Sequence, residues 1–359
     1  RGGGAPNDVY KWEVYCLKAS DGSVLWRQTA AEHRPTMPIQ ASNTYATETP
    51  VTDGERIYAY FGMTGVFCYD FDGNLQWKKD LGSYRMQMGY GTGGSPALDG
   101  ERLYIQCDND EKSFLVALNR KTGEEAWRTE RSEGSTWSTP LVWKNKVRTE
   151  IVCMGRRVRS YDPTTGKELW VLGGMNGQCH ASPVGDGDLL YVGTGGGPGG
   201  FGPGSGGFGA GGGGKPLIAV KAGASGDITL KGDATSNDGV AWLLPQAGPS
   251  MASPLLYDGY LYIVDQRGSQ LTCYDAKTGE RVYRERLSGA SGFTSSPWAY
   301  EGKVFFLADD GRTFVVQAGK EFKLLSKNDL GEMTYSSPAV SGGALFLRTV
   351  DHIFCIRNK

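Results

Sequence analysis

The sequence predicts an all-β fold, a β-propeller of four-stranded antiparallel blades. Three observations carry this. A phrase reading small residue, x, Asp, x, x, Thr, Gly, x, x, x, Trp recurs along the 359 residues. It runs from Ser160 to Trp170, from Ala117 to Trp127 and from Cys273 to Tyr283, with degenerate copies from Cys16 to Trp26, Cys68 to Trp77 and Val315 to Leu325. A Ser/Thr-Pro step opens the unit seven times, at Pro50, Pro96, Pro140, Pro183, Pro254, Pro297 and Pro338, at intervals of 46, 44, 43, 71, 43 and 41 residues. A period of about 40–45 residues fits four strands per blade. No helical hydrophobic period is sustained anywhere.

The elements follow in order within one unit. Strand A starts with the proline, at Pro254-Leu255-Leu256-Tyr257. Asp258-Gly259 makes a hairpin turn, because Gly tolerates φ > 0. Strand B is Leu261 to Val264 and strand C is Leu271 to Tyr274. The Thr278-Gly279 turn leads into strand D, which ends on Tyr283. Aromatic and β-branched residues between short turn signals support strand throughout.

The closing aromatic holds its place. It lies eight residues beyond the Asp-equivalent position from Lys18 to Trp26, Asn119 to Trp127, Asp162 to Trp170, Asp275 to Tyr283 and Gln317 to Leu325, and one fewer from Asp70 to Trp77. A large ring at one fixed place per unit suits packing between neighbouring blades; the competing use is as a platform for sugars or bases. Strand C recurs eight times and strand A seven. The first unit starts within strand C (Trp12 to Leu17) and continues with strand D (Val24 to Gln28), and the last unit stops after strand C (Ile353 to Ile356). The expectation is eight blades with the first incomplete, and further chain upstream of Arg1; the alternative is seven blades, the N-terminal D strand closing the last. All 359 residues then form one propeller domain.

Composition narrows the function. A net charge of −1 leaves no electrostatic footprint for nucleic acid. No run of about 20 apolar residues predicts a transmembrane helix. Of seven cysteines, Cys16, Cys68, Cys273 and Cys355 share one strand-C site that other units fill with Ala117, Ser160, Ala219 or Val315. A site taking Cys, Ala, Ser or Val wants a small packed side chain. No CxxC or adjacent pair favours zinc or redox chemistry. Between strands B and C of the Pro183 unit lies Gly193 to Gly214, 22 residues with 15 glycines. It fails as a phosphate loop, because no Ser/Thr follows Lys215 and no helix follows the tract. It reads as a flexible surface insertion. A second insertion, Ala222 to Gly239, extends the turn between strands C and D of the same unit.

In an up-and-down blade the D-to-A and B-to-C connections share one face, so residues just before Ser/Thr-Pro are expected to ring a channel mouth. Three positions before each proline stand Thr47, Gly93, Trp137, His180, Met251, Thr294 and Tyr335, and Glu48 is the one acid a position later. These vary where the scaffold repeats, which is where function is grafted. His180 reads either as an acid/base or ligand, or as a hydrogen-bonded lining residue. The Asp108-Asn109-Asp110-Glu111 loop reads as an acidic turn or as oxygen ligands for Ca²⁺, without a full twelve-residue loop pattern.

These repeats resemble the pyrroloquinoline-quinone (PQQ) propeller family. The Asp-x-x-Thr-Gly-x-x-x-Trp phrase and the Ser-Pro step before the inner strand carry the resemblance over nearly the whole chain. The family includes quinoprotein alcohol dehydrogenases and non-enzymatic bacterial relatives, among them the lipoprotein of the outer-membrane barrel assembly machinery. The resemblance implies a periplasmic or otherwise extracytoplasmic protein. The quinoprotein enzymes use PQQ-bound Ca²⁺, a catalytic Asp and a disulfide of adjacent cysteines. This chain has no adjacent cysteines and no Asp at the mouth positions, so it looks most like the non-catalytic members.

The leading expectation is a scaffold without cofactor or catalytic residues, binding a protein or glycan partner through Glu48, Trp137, His180, Met251, Tyr335 and Arg85 of the Tyr84–Met88 loop. The alternative is a PQQ- or metal-dependent oxidoreductase using His180 and Glu48.

Overall fold

A computed structural model describes residues 5–175, 178–195 and 214–357. Most of the glycine-rich tract, residues 196–213, lies outside them. Apart from two three-residue 3₁₀ turns, Gly62–Thr64 and Gln87–Gly89, every regular element among the described residues is a strand. Among the described residues no helix is long and apolar enough to cross a membrane.

Eight sheets form among the described residues. Seven contain strand A and are the blades of an all-β propeller with four-stranded antiparallel blades, which is the alternative count. The last of them has strands A to C only: Ala339–Ser341, Ala344–Arg348 and Ile353–Arg357. The incomplete first unit is present as a separate C–D hairpin, Tyr10–Leu17 with Val24–His33.

The chain separates into two compact units. The first comprises Arg1–Gly173, Gly177–Cys179 and Ser225–Thr229, and holds the hairpin and three blades. Its core lies between consecutive sheets; Tyr58, Leu103, Ile105, Phe114 and Val116 fill one such layer, all fully buried. The second unit holds the remaining four blades, with Tyr262, Leu271, Val304, Phe306 and Phe314 in a corresponding layer.

Strand pairing explains the repeated phrase. The small strand-C residue stands directly opposite the closing aromatic: Cys16 opposite Trp26, Cys68 opposite Trp77, Ala117 opposite Trp127, Ser160 opposite Trp170, Cys273 opposite Tyr283. Beside each pair the register slips, and such bulges twist the strand and re-aim its side chains. The phrase's Asp closes the turn, as Asp162 Oδ1 does by accepting from the amides of Thr164 (2.9 Å) and Thr165 (2.7 Å). Gly166, at φ +71°, lies under the neighbouring blade's aromatic; a Cβ there would meet the Trp127 ring at 2.5 Å. The Trp127 indole N–H then donates to the Pro163 carbonyl at 3.1 Å. Trp26 reaches Phe71 O (2.8 Å), Trp77 reaches Arg120 O (3.0 Å) and Trp242 reaches Ala276 O (3.3 Å) in the same manner.

Three copies depart from this. Ser326, not Leu325, stands opposite Val315, because the turn is one residue longer: Gln317 N bonds Lys323 O, whereas Asp275 N bonds Glu280 O. Leu325 is exposed as a result. Cys355 is exposed rather than packed, since its sheet has no D strand among the described residues. Trp170 is fully buried, yet its indole donates to the Glu150 carboxylate at 2.6 Å. The Ala222–Gly239 insertion accounts for this environment. Its Gly226–Asp227 strand pairs in parallel along Glu168–Leu172 and covers that edge.

Candidate functional site

The Ser/Thr-Pro step builds the frame on which the candidate residues sit. In the first unit the Thr49 amide donates to Ser95 Oγ (2.9 Å), and the Ser95 amide to Thr139 Oγ1 (3.0 Å). In the second unit Ser182 donates to Ser253 Oγ (2.9 Å), Ser253 to Ser296 Oγ (3.0 Å) and Ser296 to Ser337 Oγ (2.8 Å). Ser95, Ser253 and Ser296 each donate their amide to one neighbour and accept at Oγ from the other. The following proline has no N–H of its own to compete.

In the first unit three of the expected residues cluster near the 84–92 loop. Trp137 is half-buried; its indole donates to Gly91 O at 2.8 Å, and its ring lies 6.1 Å from that of Tyr90. Glu48 is buried at 7% exposure beside Gly62 and Thr92. Burial pushes its carboxyl up to about 7, against partial stabilisation from the Thr92 hydroxyl and nearby backbone. Its Oε1 has no hydrogen-bond partner among the described residues. Arg85 is exposed at the head of the loop.

In the second unit His180 and Met251 are half-buried and Tyr335 is exposed. Burial pulls the His180 imidazole below its usual value. Thr294 is tied to Asp309 through its amide (2.8 Å), and burial raises that carboxyl.

The first half of the acidic run Asp108 to Glu111 is buried and bound by protein donors, and the second half is exposed. Asp108 forms a bidentate pair with Arg131, Nε–Oδ1 2.8 Å and Nη2–Oδ2 3.0 Å, with neither side chain exposed. Arg131 Nη1 also donates to Tyr161 Oη (2.7 Å), and Gln106 Nε2 and Thr136 Oγ1 donate to Asp108 Oδ2 at 2.7 and 3.0 Å. Asn109 Oδ1 accepts from the amides of Glu111 and Lys112. Asp110 Oδ1 accepts from Ser135 Oγ (2.8 Å), and Glu111 Oε2 from the Arg85 amide (3.0 Å). Asp108 and Asn109 are thus buried and held by protein donors, while Asp110 and Glu111 are exposed. The residue pairing was not visible in the sequence, because Arg131 and Asp108 are neighbours only across strands.

Burial makes most of the thiols poor nucleophiles. All seven cysteines are free, and burial pushes Cys107, Cys153 and Cys273 each up to about 12.

Comparison with known proteins places this architecture. A family model described as outer membrane protein assembly factor BamB matches residues 10–149, 62–206 and 228–320, in overlapping windows as a repeat would. No curated protein matches the sequence. Among solved structures, BamB from Moraxella catarrhalis superposes with a TM-score of 0.64 at 12% identity, over 92% of this chain and 87% of that one. The computationally designed Ika8 protein superposes with a TM-score of 0.56, also at 12% identity, over 88% and 84%. At such identities the superpositions show the fold alone.

Proposed function

Because this chain belongs to the family of the outer membrane protein assembly factor BamB, we propose that it is a non-catalytic scaffold that binds a protein partner outside the cytoplasm, in the assembly of outer-membrane proteins. One observation carries the reading. The Ser/Thr-Pro frame repeats bond for bond within each unit, while the residue three positions before the proline changes from Trp137 to His180, Met251 or Tyr335. A rigid frame presenting a varied set of aromatic, Met and Arg side chains suits recognition of a protein surface. A glycan is the alternative occupant of the same residues.

The reading assigns no cofactor. Its first test is reconstitution with PQQ and Ca²⁺. If the scaffold reading holds, the protein should retain no quinone absorbance after desalting and oxidise no alcohol in a dye-linked assay; stoichiometric retention with turnover would make it an oxidoreductase. Its second test is capture of a protein from a detergent-solubilised envelope extract by the tagged chain.

A further inference from the structure

The outermost strand of the Pro254 unit, Arg281–Arg286, pairs only with Gln270–Asp275 and leaves its other edge open. Register divides its side chains between two faces. Gln270 stands opposite Arg286, Thr272 opposite Arg284 and Tyr274 opposite Arg281. Tyr274 packs with Leu261 and Ile263 against Trp242 of the Pro183 blade. Arg281, Arg284 and Arg286 therefore share the face turned toward that blade. Leu271 and Cys273 pack the other way, and Glu285, opposite Leu271, shares their face. Burial raises the Tyr274 phenol, and the charges of Arg281 and Arg284 oppose that rise from the same face.

The three arginines are exposed, and among the described residues none makes an ion pair or a side-chain hydrogen bond. Arginines on other closing strands are neutralised, Arg27 by Glu13 and Arg128 by Glu125. The facing strand Val240–Leu244 carries no charge, and neither do Pro245 and Gln246 after it. The neighbouring acids stand apart from Arg284 and Arg286. Glu285 is on the opposite face. Glu280 and Asp275 lie in the turn before the strand, Asp275 Oδ1 accepting from Thr278. Asp265 lies two strands inward from Arg286, about 10 Å at the usual strand spacing, and its Oδ1 accepts from the Arg267 amide.

The open edge presents its main chain at the same arginines. Leu287 N donates to Ser269 O (2.8 Å), so the bonds to the inner strand fall on alternate residues, at Leu287 and Glu285. The N–H and C=O of Arg284 and the N–H of Arg286 point outward, while Arg286 O accepts from Ser288 N (3.0 Å). The fold itself adds a strand to such an edge elsewhere: Gly226–Asp227 pairs along the closing strand Glu168–Leu172.

We infer that the Arg281–Arg286 edge receives an extended segment of a protein partner as a fifth strand, with Asp or Glu at two alternate positions opposite Arg284 and Arg286. The inference rests on the scaffold reading above and names the partner's chemistry. Alternate residues of a strand lie about 7 Å apart on one face, which is the spacing of these two arginines. Main-chain bonds supply affinity in such strand addition, and the charge-assisted pairs set which strand is accepted. The same arginines repel basic strands and keep the bare edge from pairing with apolar ones.

The test is a displayed library of random peptides of about ten residues, panned on the full chain. Enriched peptides are expected to carry two acids separated by one residue. Their affinity should fall at least tenfold in Arg284→Glu/Arg286→Glu and return when both peptide acids are exchanged for Lys. Moving one acid by a single position turns it to the other face and should cost severalfold. N-methylation of the peptide amide that pairs with Arg284 should also cost severalfold, because it removes a main-chain donor. Both arginines are exposed, so the melting temperature of the double variant should stay within a few degrees of the parent's. No enrichment over background, or enriched peptides indifferent to the arginine exchange, overturns the inference. Affinity that ignores both acid spacing and N-methylation overturns it too, as does arginine-dependent binding to anionic phospholipid vesicles without peptide binding. Envelope capture separates the two claims. If the parent captures a protein and Arg284→Glu/Arg286→Glu captures it equally, the scaffold reading stands and this edge is not the site. If the parent captures nothing, the scaffold reading itself fails.

Discussion

Arg131 and Asp108 are joined by two hydrogen bonds, of 2.8 and 3.0 Å, with both side chains wholly buried. Two charges withdrawn from water hold one another only while both are present. Arg131→Met should cost about 3–5 kcal/mol, because it strands the Asp108 carboxylate. Arg131→Met with Asp108→Leu should cost clearly less than Arg131→Met alone. Urea denaturation of the two single variants and the double decides this, and simple additivity would contradict it.

The closing aromatics are separable by their surroundings. Trp170→Ala should destabilise by roughly 3–5 kcal/mol, as truncation of a large buried ring does, and Trp127→Ala, at a half-buried ring, by a smaller but measurable amount. Leu325→Ala should stay within about 0.5 kcal/mol, since that side chain is exposed. A thermal melt of Trp127→Ala or Trp170→Ala that overlays the parent would remove these rings from the account of stability.

Ser253 Oγ accepts from the Ser182 amide, and the Ser253 amide donates to Ser296 Oγ. Ser253→Ala should lose about 0.5–1.5 kcal/mol, the net worth of one such bond. Ser253→Thr should lose less, because Thr139 fills the equivalent role in the first unit. Hydrogen exchange at the Ser182 amide should quicken in the alanine variant and not in the threonine one.

Glu48 predicts a pH dependence. Its carboxyl is raised from an ordinary 4.5 to about 7 in the fold, so the folded state binds the proton that the unfolded state has released between those values. Its contribution is fullest below pH 4.5, declines as pH rises to about 7, and is level above that. The decline is on the order of 3 kcal/mol. Glu48→Gln should remove that slope, so that the stability difference between variant and parent grows across the window. Parallel curves from pH 4 to 8 would mean that the Glu48 carboxylate is better solvated than its burial indicates.

Much of the fold was legible because the repeat encodes it in short-range chemistry. The strands of the Pro254 unit, its Asp258-Gly259 turn and the small residues at the strand-C site follow from local pattern, and Cys68, Ala117 and Cys273 are fully buried at that site. The eight-residue spacing failed at Leu325, where one extra turn residue shifts the facing position to Ser326. Trp242 escaped the spacing altogether, because the Ala222–Gly239 insertion separates it from its strand C. The candidate positions before the prolines were legible, but not their burial: Glu48 and Tyr335 hold neighbouring places in the repeat, yet one is enclosed and the other 48% exposed. Long-range pairs such as Arg131 with Asp108 leave no mark in a single sequence.

The scaffold account is tested most directly by capture from a solubilised envelope extract with the parent chain and with Trp137→Ala/Tyr335→Ala. Exposed and half-buried aromatics supply much of the binding energy at protein interfaces, and neither position lies in the buried layers between sheets. The account predicts that the parent retains a protein partner, that the double variant loses it, and that the melting temperatures of the two stay within a few degrees. Undiminished capture by a folded double variant would contradict it and move the binding surface away from the residues that precede the Ser/Thr-Pro steps.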